Sequence, residues 1–177
     1  MEAPVIYVDT RQQANKHSNI DNWFTAHKVQ FEYKKLDFGD YMTSQSNISV
    51  DTKQNLAEVA SNFGRDHARF AREIKRANEA GYKLIVLIEV GHPYHCVDDV
   101  AQWTSNVCQK CDKRRFGHCD PKVSMRCAAR KQKPMQGSTL ARIMRTIEYK
   151  YGCEFMFCNK RSTGRVICEL LGVNYEK

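Results

Sequence analysis

Residues 39–53 read Gly-Asp-Tyr-Met-Thr-Ser-Gln-Ser-Asn-Ile-Ser-Val-Asp-Thr-Lys, and this stretch is the most informative part of the sequence. A polar turn at 43–47 separates two segments of strand character, which predicts an antiparallel hairpin. Alternate residues of a strand project to the same face, so Asp51 and Lys53 are expected side by side. Asp40, at the mouth of the preceding strand, is expected to face them across the pair. The hairpin therefore gathers two carboxylates and an ammonium group.

This combination of side chains indicates a metal-dependent site. Two converging carboxylates offer the hard oxygen ligands that Mg²⁺ and Mn²⁺ prefer. A lysine beside them orients a metal-bound water or stabilises charge that develops on a phosphate. An acid-x-Lys triplet alone also occurs on solvated strand faces, so the rest of the chain has to decide between the two interpretations.

The remaining periodicity predicts an α/β sandwich with a mixed sheet. We expect strands near 5–8, 29–36, 41–43, 48–52, 83–90 and 153–157, and helices near 19–28, 55–62, 64–81, 140–147 and 162–171. The continuous apolar run at 83–90 is typical of a central strand that is buried on both faces. Gly172 is the expected stop of the last helix.

The predicted helix that ends near Gly81 has two different sides. Its apolar stripe is expected to face the core and consists of Phe63, His67, Phe70, Ile74 and Ala77. Its other side carries four arginines at spacings of three and four, namely Arg65, Arg69, Arg72 and Arg76. Arginines in this pattern bind phosphates, or they form a solvated face partnered by Asp66 and Glu73.

The charge balance favours a polyanionic partner. The chain has 177 residues with 28 Lys and Arg against 20 Asp and Glu, a formal charge of +8. Nucleic acid is the first expectation and a membrane surface the second, with simple solubility as the plainer alternative. No apolar run approaches the ~20 residues that span a bilayer. The first residues show no signal-peptide pattern, so the sequence predicts a cytoplasmic protein.

Residues 92–136 form a basic insert in which the periodicity lapses. They hold nine Lys or Arg and four Asp, a net charge of +5. The spacing Cys108-x₂-Cys111-x₇-Cys119-x₇-Cys127 predicts a structural Zn²⁺ site, whose bound ion would supply the missing folding energy. His118 is the alternative to Cys127 as fourth ligand. The other interpretation is a flexible basic loop with incidental cysteines.

Three motifs together resemble the XPF-type nuclease domain of the PD-(D/E)xK superfamily. They are Val8-Asp9-Thr10-Arg11, Gly39-Asp40-Tyr41 and Val50-Asp51-Thr52-Lys53. The resemblance covers roughly 4–90 and 137–172. It implies a single nuclease domain over 1–177 that the insert at 92–136 interrupts, and a restriction-endonuclease-like three-layer sandwich. The size resembles that of members encoded by phages and prophages, which implies a bacterial host cytoplasm and a role in DNA repair or recombination.

The chain departs from the family pattern V-D-x-R-E, G-D-Y/F, E-R-K-x-x-x-D at four positions. Asp51 stands for the motif Glu and Thr52 for the motif Arg. Ala57 stands for the later Asp, with Glu58 beside it as a candidate substitute. Gln12 replaces the Glu of the first motif. Eukaryotic relatives also carry a tandem helix-hairpin-helix domain, for which no room is expected after residue 172, so the basic insert is expected to serve that role.

The resemblance implies a metal-dependent DNA endonuclease, with branched or flap DNA as candidate substrates. Asp40 and Asp51 would hold Mg²⁺ or Mn²⁺, Asp9 would assist or coordinate through water, and Lys53 would position the attacking water. The residues expected to contact substrate are Arg11, Arg65, Arg69, Arg72, Lys113, Arg114 and Arg115. A homodimer through the nuclease domain is also implied. The alternative is a non-catalytic, zinc-containing DNA-binding protein on the same fold, against which the intact Asp40, Asp51 and Lys53 argue. RNA is a weaker candidate substrate.

Overall fold

The centre of the protein is a six-stranded mixed sheet. The computed structural model describes residues 4–12, 17–64 and 66–176. The strands are β1 (Ile6–Asp9), β2 (Phe31–Lys34), β3 (Tyr41–Met42), β4 (Ile48–Lys53), β5 (Lys83–Glu89) and β6 (Glu154–Cys158). Their order is β2-β1-β3-β4-β5-β6. Strand β3 is antiparallel to β1 and β4, and the other pairs are parallel, which confirms the predicted hairpin and mixed sheet.

Seven helices surround this sheet in the described part of the chain. They are α1 (Ser18–Ala26), α2 (Leu56–Gly64), α3 (His67–Glu79), α4 (Asn106–Gln109), α5 (Asp112–Arg115), α6 (Gly137–Tyr151) and α7 (Thr163–Leu171). Helix α7 ends at Gly172, whose φ of +71° is left-handed and favours glycine, as predicted. Within the described residues, none of the helices is long and apolar enough to cross a bilayer.

Strand β5 separates two hydrophobic cores. Leu84, Val86 and Ile88 project into the core that α2, α3 and α6 cover, whereas Leu87 projects into the core of α1 and α7. All four side chains are almost completely buried. Because both faces of the sheet are covered by helices, the protein is a three-layer α/β sandwich, and the prediction of a fully buried central strand is confirmed.

The prediction for His67 is wrong. Helix α2 ends at Gly64 and a new helix begins at His67, whose side chain is exposed. Phe63 and His67 therefore belong to different helices, and their spacing of four does not place them on one face. The periodicity holds within α3, where Phe70 and Ile74 are buried.

The first part of the predicted insert contributes to the core. Val97, Val100 and Trp103 are buried against α6 and its neighbours. Gly137, the first residue of α6, donates its N–H to Trp103 O at 3.1 Å. A Cβ at Gly137 would lie 2.3 Å from Val100 O, so this close approach requires glycine. Beyond Ser105 the insert has only short helices and mostly exposed residues.

Candidate active site

Strand direction brings the predicted site residues to one edge of the sheet. Strands β1 and β4 are parallel to each other because each is antiparallel to β3. Asp9 is the last residue of β1, Asp51 and Lys53 lie at the end of β4, and Asp40 directly precedes β3. The ends of β1 and β4 and the beginning of β3 therefore meet at the same edge.

Asp51 and Lys53 form a buried ion pair on this edge. Lys53 Nζ donates a hydrogen bond to Asp51 Oδ1 at 2.6 Å and lies 2.5 Å from Oδ2. The side chains are only 5% and 11% exposed. They lie on the same face of β4, as the alternation of the strand predicts, on the side that α2, α3 and α6 cover.

The Asp40 carboxylate is held by Thr52, the residue between Asp51 and Lys53. Its Oδ2 accepts hydrogen bonds from Thr52 N at 2.8 Å and from Thr52 Oγ1 at 2.6 Å. Both bonds use the same carboxylate oxygen. Thr52, which departs from the Arg of the family pattern, thus fixes the orientation of a candidate catalytic carboxylate.

Asp9 is engaged by its neighbours. Its Oδ2 lies 2.9 Å from Arg11 Nε, and its Oδ1 accepts a hydrogen bond from Leu36 N at 3.2 Å. The Arg11 guanidinium also donates to Leu36 O, although its side chain is still 54% exposed. Asp9 therefore ties the end of β1 to the segment after β2 and orients Arg11.

An open, strongly polar cavity of about 450 Å³ connects these residues. Its lining contains acidic and basic side chains from four parts of the chain, namely Asp9, Arg11, His17, Asp40, Asp51, Lys53, Glu58, Arg69, Glu73 and Arg76. Of the predicted arginines on α3, Arg69 lines this cavity and the exposed Arg72 does not. Arg65 lies outside the described residues.

Glu73 and Arg76 line the cavity, although the sequence analysis assigned them only to the polar side of this helix and not to the expected substrate-binding residues. Glu73 Oε1 accepts a hydrogen bond from Gly39 N at 3.0 Å, and Arg76 Nε donates to Asp37 O at 3.2 Å. Both contacts fix the segment that leads into Asp40. The spacing of Arg69, Glu73 and Arg76 places them on one helical face, which is the signal that could have identified them.

Glu58 has a structural task at the edge of the cavity. Its Oε2 accepts a hydrogen bond from Gln54 N at 2.9 Å, while its own N–H donates to Asn55 Oδ1 at 3.0 Å. The two bonds resemble a capping box at the beginning of α2, except that Glu58 binds the N–H of Gln54, one residue before the N-cap Asn55. Glu58 therefore stabilises the helix that follows the Asp51–Lys53 strand.

Burial controls the protonation of the ion pair. It raises the pKa of Asp51 to about 7, with repulsion from Asp40 and Glu73 adding to the rise and the Lys53 ammonium opposing it. Burial by itself lowers the pKa of Lys53, but attraction by Asp51 and Asp40 outweighs it, so the pKa of Lys53 is raised overall. Lys53 is thus protonated at neutral pH.

The donor set at this edge fits a divalent cation. Asp51 Oδ2 is buried, and in the described part of the chain it forms an ion pair with Lys53 Nζ at 2.5 Å but accepts no well-aligned hydrogen bond. Nowhere in residues 4–12, 17–64 and 66–176 do three or more His, Cys, Asp or Glu side chains form a group that could hold a metal ion. Mg²⁺ commonly binds through one or two carboxylates together with water and substrate phosphate, so a two-carboxylate site is sufficient for it.

The four predicted zinc ligands lie on separate parts of the insert. Cys108 is buried in α4, and Cys111 directly precedes α5. Cys119 Sγ lies 3.8 Å from Ser124 Oγ, and Cys127 is half-buried. No described group of three ligands assembles here either, so zinc stays a prediction. By contrast, Cys153, Cys158 and Cys168 are buried in the cores.

Comparison with known proteins identifies the fold. No protein-family model and no curated protein matches the chain. Among solved structures, XPF from Aeropyrum pernix, in complex with DNA, matches with a TM-score of 0.54 and 21% sequence identity. The match covers 96% of this chain and 64% of that chain. Despite the low identity, this chain therefore shares the mixed-sheet α/β fold of the matched part of that structure.

Proposed function

We propose that this protein is a metal-dependent DNA endonuclease that hydrolyses phosphodiester bonds, with branched or flap DNA as candidate substrates. The observation that carries the proposal is the buried Asp51–Lys53 pair, which shares one cavity with Asp40. Its position at a strand edge of an XPF-type fold supports the assignment, as does the formal charge of +8.

Asp40 and Asp51 are the residues that would hold the metal. When bound, Mg²⁺ or Mn²⁺ would lower the pKa of a coordinated water and neutralise charge on the phosphate. Lys53 has three donors, of which Asp51 engages at least one, so the ammonium group can also orient the attacking water or the phosphate. Since the Asp51–Lys53 pair is almost completely buried, its electrostatic interactions are stronger than they would be in water.

The basic side chains around the cavity would bind the DNA backbone. Arg11, Arg69 and Arg76 line the cavity, and a guanidinium group can bind a phosphate through two hydrogen bonds. Asp9 assists by orienting Arg11. Flanking phosphates would be bound by Arg72 on α3 and by the exposed residues Lys113, Arg114 and Arg115 of the insert. Arg65 is proposed for the same task on its sequence position alone.

The test separates cleavage from binding. Purified protein is incubated with flap, fork, four-way and linear DNA in Mg²⁺ or Mn²⁺, and then in EDTA. We expect Asp51→Asn, Asp40→Asn and Lys53→Ala to reduce cleavage roughly 100-fold or more, because each removes a group that acts on the reacting phosphate. Binding measured in EDTA should persist in all three variants.

Asp98→Asn is the matched control. It removes a carboxylate that lies outside the cavity and pairs with Arg145 on the surface, so cleavage should be unchanged. Near-normal cleavage by Asp51→Asn would refute the catalytic assignment. Binding without cleavage by the wild type under every condition would instead favour a non-catalytic, zinc-containing DNA-binding protein.

A further inference from the structure

Phe116 is an aromatic side chain that is mostly exposed to solvent. It is 68% exposed at the end of α5 in the insert. Val123 and Met125 of the same insert are more exposed still, at 75% and 92%, but the other strongly exposed aromatic rings are Tyr33 and Tyr149. Phe116 differs from these two because its sequence neighbours Lys113, Arg114 and Arg115 are all cationic.

The backbone holds Phe116 in a defined turn. Gly117 N donates to Arg114 O at 3.1 Å, and His118 N donates to Lys113 O at 2.8 Å. Gly117 has a φ of +77°, which only glycine adopts readily. These two bonds form a Schellman motif that ends α5. The Schellman motif therefore fixes the backbone position of Phe116 at the end of α5.

The basic residues on and beside α5 form no ion pair with any described acidic residue. Five exposed basic residues on or beside α5 make no ion pair in the described part of the chain, namely Lys110, Lys113, Arg114, Arg115 and Arg130. Such a surface complements a polyanion. Because the surface also exposes an aromatic ring, it complements a polyanion that itself exposes flat apolar faces.

We propose that Phe116 and these cations form a binding surface for unpaired bases of DNA. Bases within a duplex hide their faces by stacking on each other, whereas an unpaired base can stack on an aromatic side chain while the adjacent phosphates bind the cations. The inference rests on the proposed function for the choice of DNA. It adds that this insert recognises single-stranded segments, such as those at a flap or fork.

Binding in EDTA tests this inference without cleavage. A labelled oligo(dT) and a duplex of equal length are titrated with protein, and binding is followed by fluorescence anisotropy. Stacking on an aromatic side chain predicts that Phe116→Ala weakens oligo(dT) binding by roughly 5- to 100-fold. Duplex binding should change by less than about twofold, since phosphate contacts are intact.

Three further variants separate stacking from other roles. Phe116→Tyr keeps the ring and should bind like the wild type, whereas Phe116→Leu keeps only apolar volume and should bind as weakly as Phe116→Ala. Tyr149→Ala, which removes an exposed ring from α6, is the control and should have no effect. Full binding by Phe116→Leu would overturn stacking, and equal losses on both DNA forms would overturn the assignment to unpaired bases.

Phe116→Trp gives a direct signal. Its new indole emission should be quenched by oligo(dT) and not by the duplex, and absence of quenching at saturation would overturn the inference. Failure of the proposed function would look different, because a protein that never cleaves DNA would still show the Phe116 effects in EDTA.

Discussion

The charge of the insert makes a quantitative prediction about salt. Lys113, Arg114 and Arg115 are exposed and form no ion pair with any described residue, so each is available to neutralise one phosphate. On duplex DNA each such contact contributes about −0.9 to the slope of log affinity against log salt. Replacing all three by alanine should therefore make the slope shallower by about 2.7, or by about 2.1 on single strands. Between 50 and 200 mM salt, the wild type should lose about 40-fold more duplex affinity than the variant.

A second triple variant controls for net charge. Lys28, Lys83 and Arg165 are paired with Glu176, Glu154 and Glu169 at 2.7, 2.5 and 3.6 Å. Their replacement by alanine removes the same three charges, and exposed pairs of this kind contribute little to stability. Binding is measured in EDTA over a salt series. If the slope of log affinity against log salt is unchanged in the insert variant, or becomes shallower by the same amount in both variants, the insert is merely a solvated surface. The DNA backbone would then have to be bound by α3.

Three further predictions concern the cavity and the cysteines. Glu73→Ala should lower kcat roughly tenfold by releasing the segment before Asp40, whereas Glu73→Gln should retain activity because its amide oxygen still accepts the Gly39 bond; equal losses would contradict this. At limiting Mg²⁺ cleavage should fall below pH about 7 as Asp51 gains a proton, and saturating Mg²⁺ should move the fall to lower pH by competing with that proton; coincident pH profiles would refute it. Elemental analysis should find one zinc per chain, and a value near zero with freely titratable Cys108, Cys111, Cys119 and Cys127 would exclude the site.

The sheet and its reactive edge were accessible from the sequence because their signals are local. Alternation in β4 placed Asp51 beside Lys53, and the polar turn at 43–47 predicted the hairpin that brings Asp40 to the same edge. The apolar run of β5 predicted a strand buried on both faces. In each case neighbours along one strand or one turn determine the outcome, and tertiary packing reinforces it.

The remaining features depend on contacts between distant segments. Glu73 accepts a hydrogen bond from Gly39, which is 34 residues away in sequence. No residue pattern on α3 predicts which loop will lie beside this helix. Trp103 is buried in the core because Gly137, which has no Cβ, lets the start of α6 pack closely against the backbone of Val100 and Trp103. This contact explains why a segment with weak periodicity is nevertheless buried. His67 was misassigned because a helix break interrupts the spacing. These outcomes are set by packing geometry that a linear pattern does not encode.

The buried ion pair is the feature that the fold itself least requires. On β5, the residues in register with Asp51 and Lys53 are Val86 and Ile88, and both belong to the apolar core. An apolar pair in β4 would match these neighbours, and replacing a buried ion pair by well-packed apolar residues is often neutral or stabilising. Burial also raises the pKa of Asp51, so the charged carboxylate is held in a site that disfavours it. A bound cation would offset this penalty, because its positive charge would favour the ionised form of the Asp51 carboxylate. The places where a sequence works against its own fold are expected to be functional sites, which is why this pair carries the proposed catalytic role.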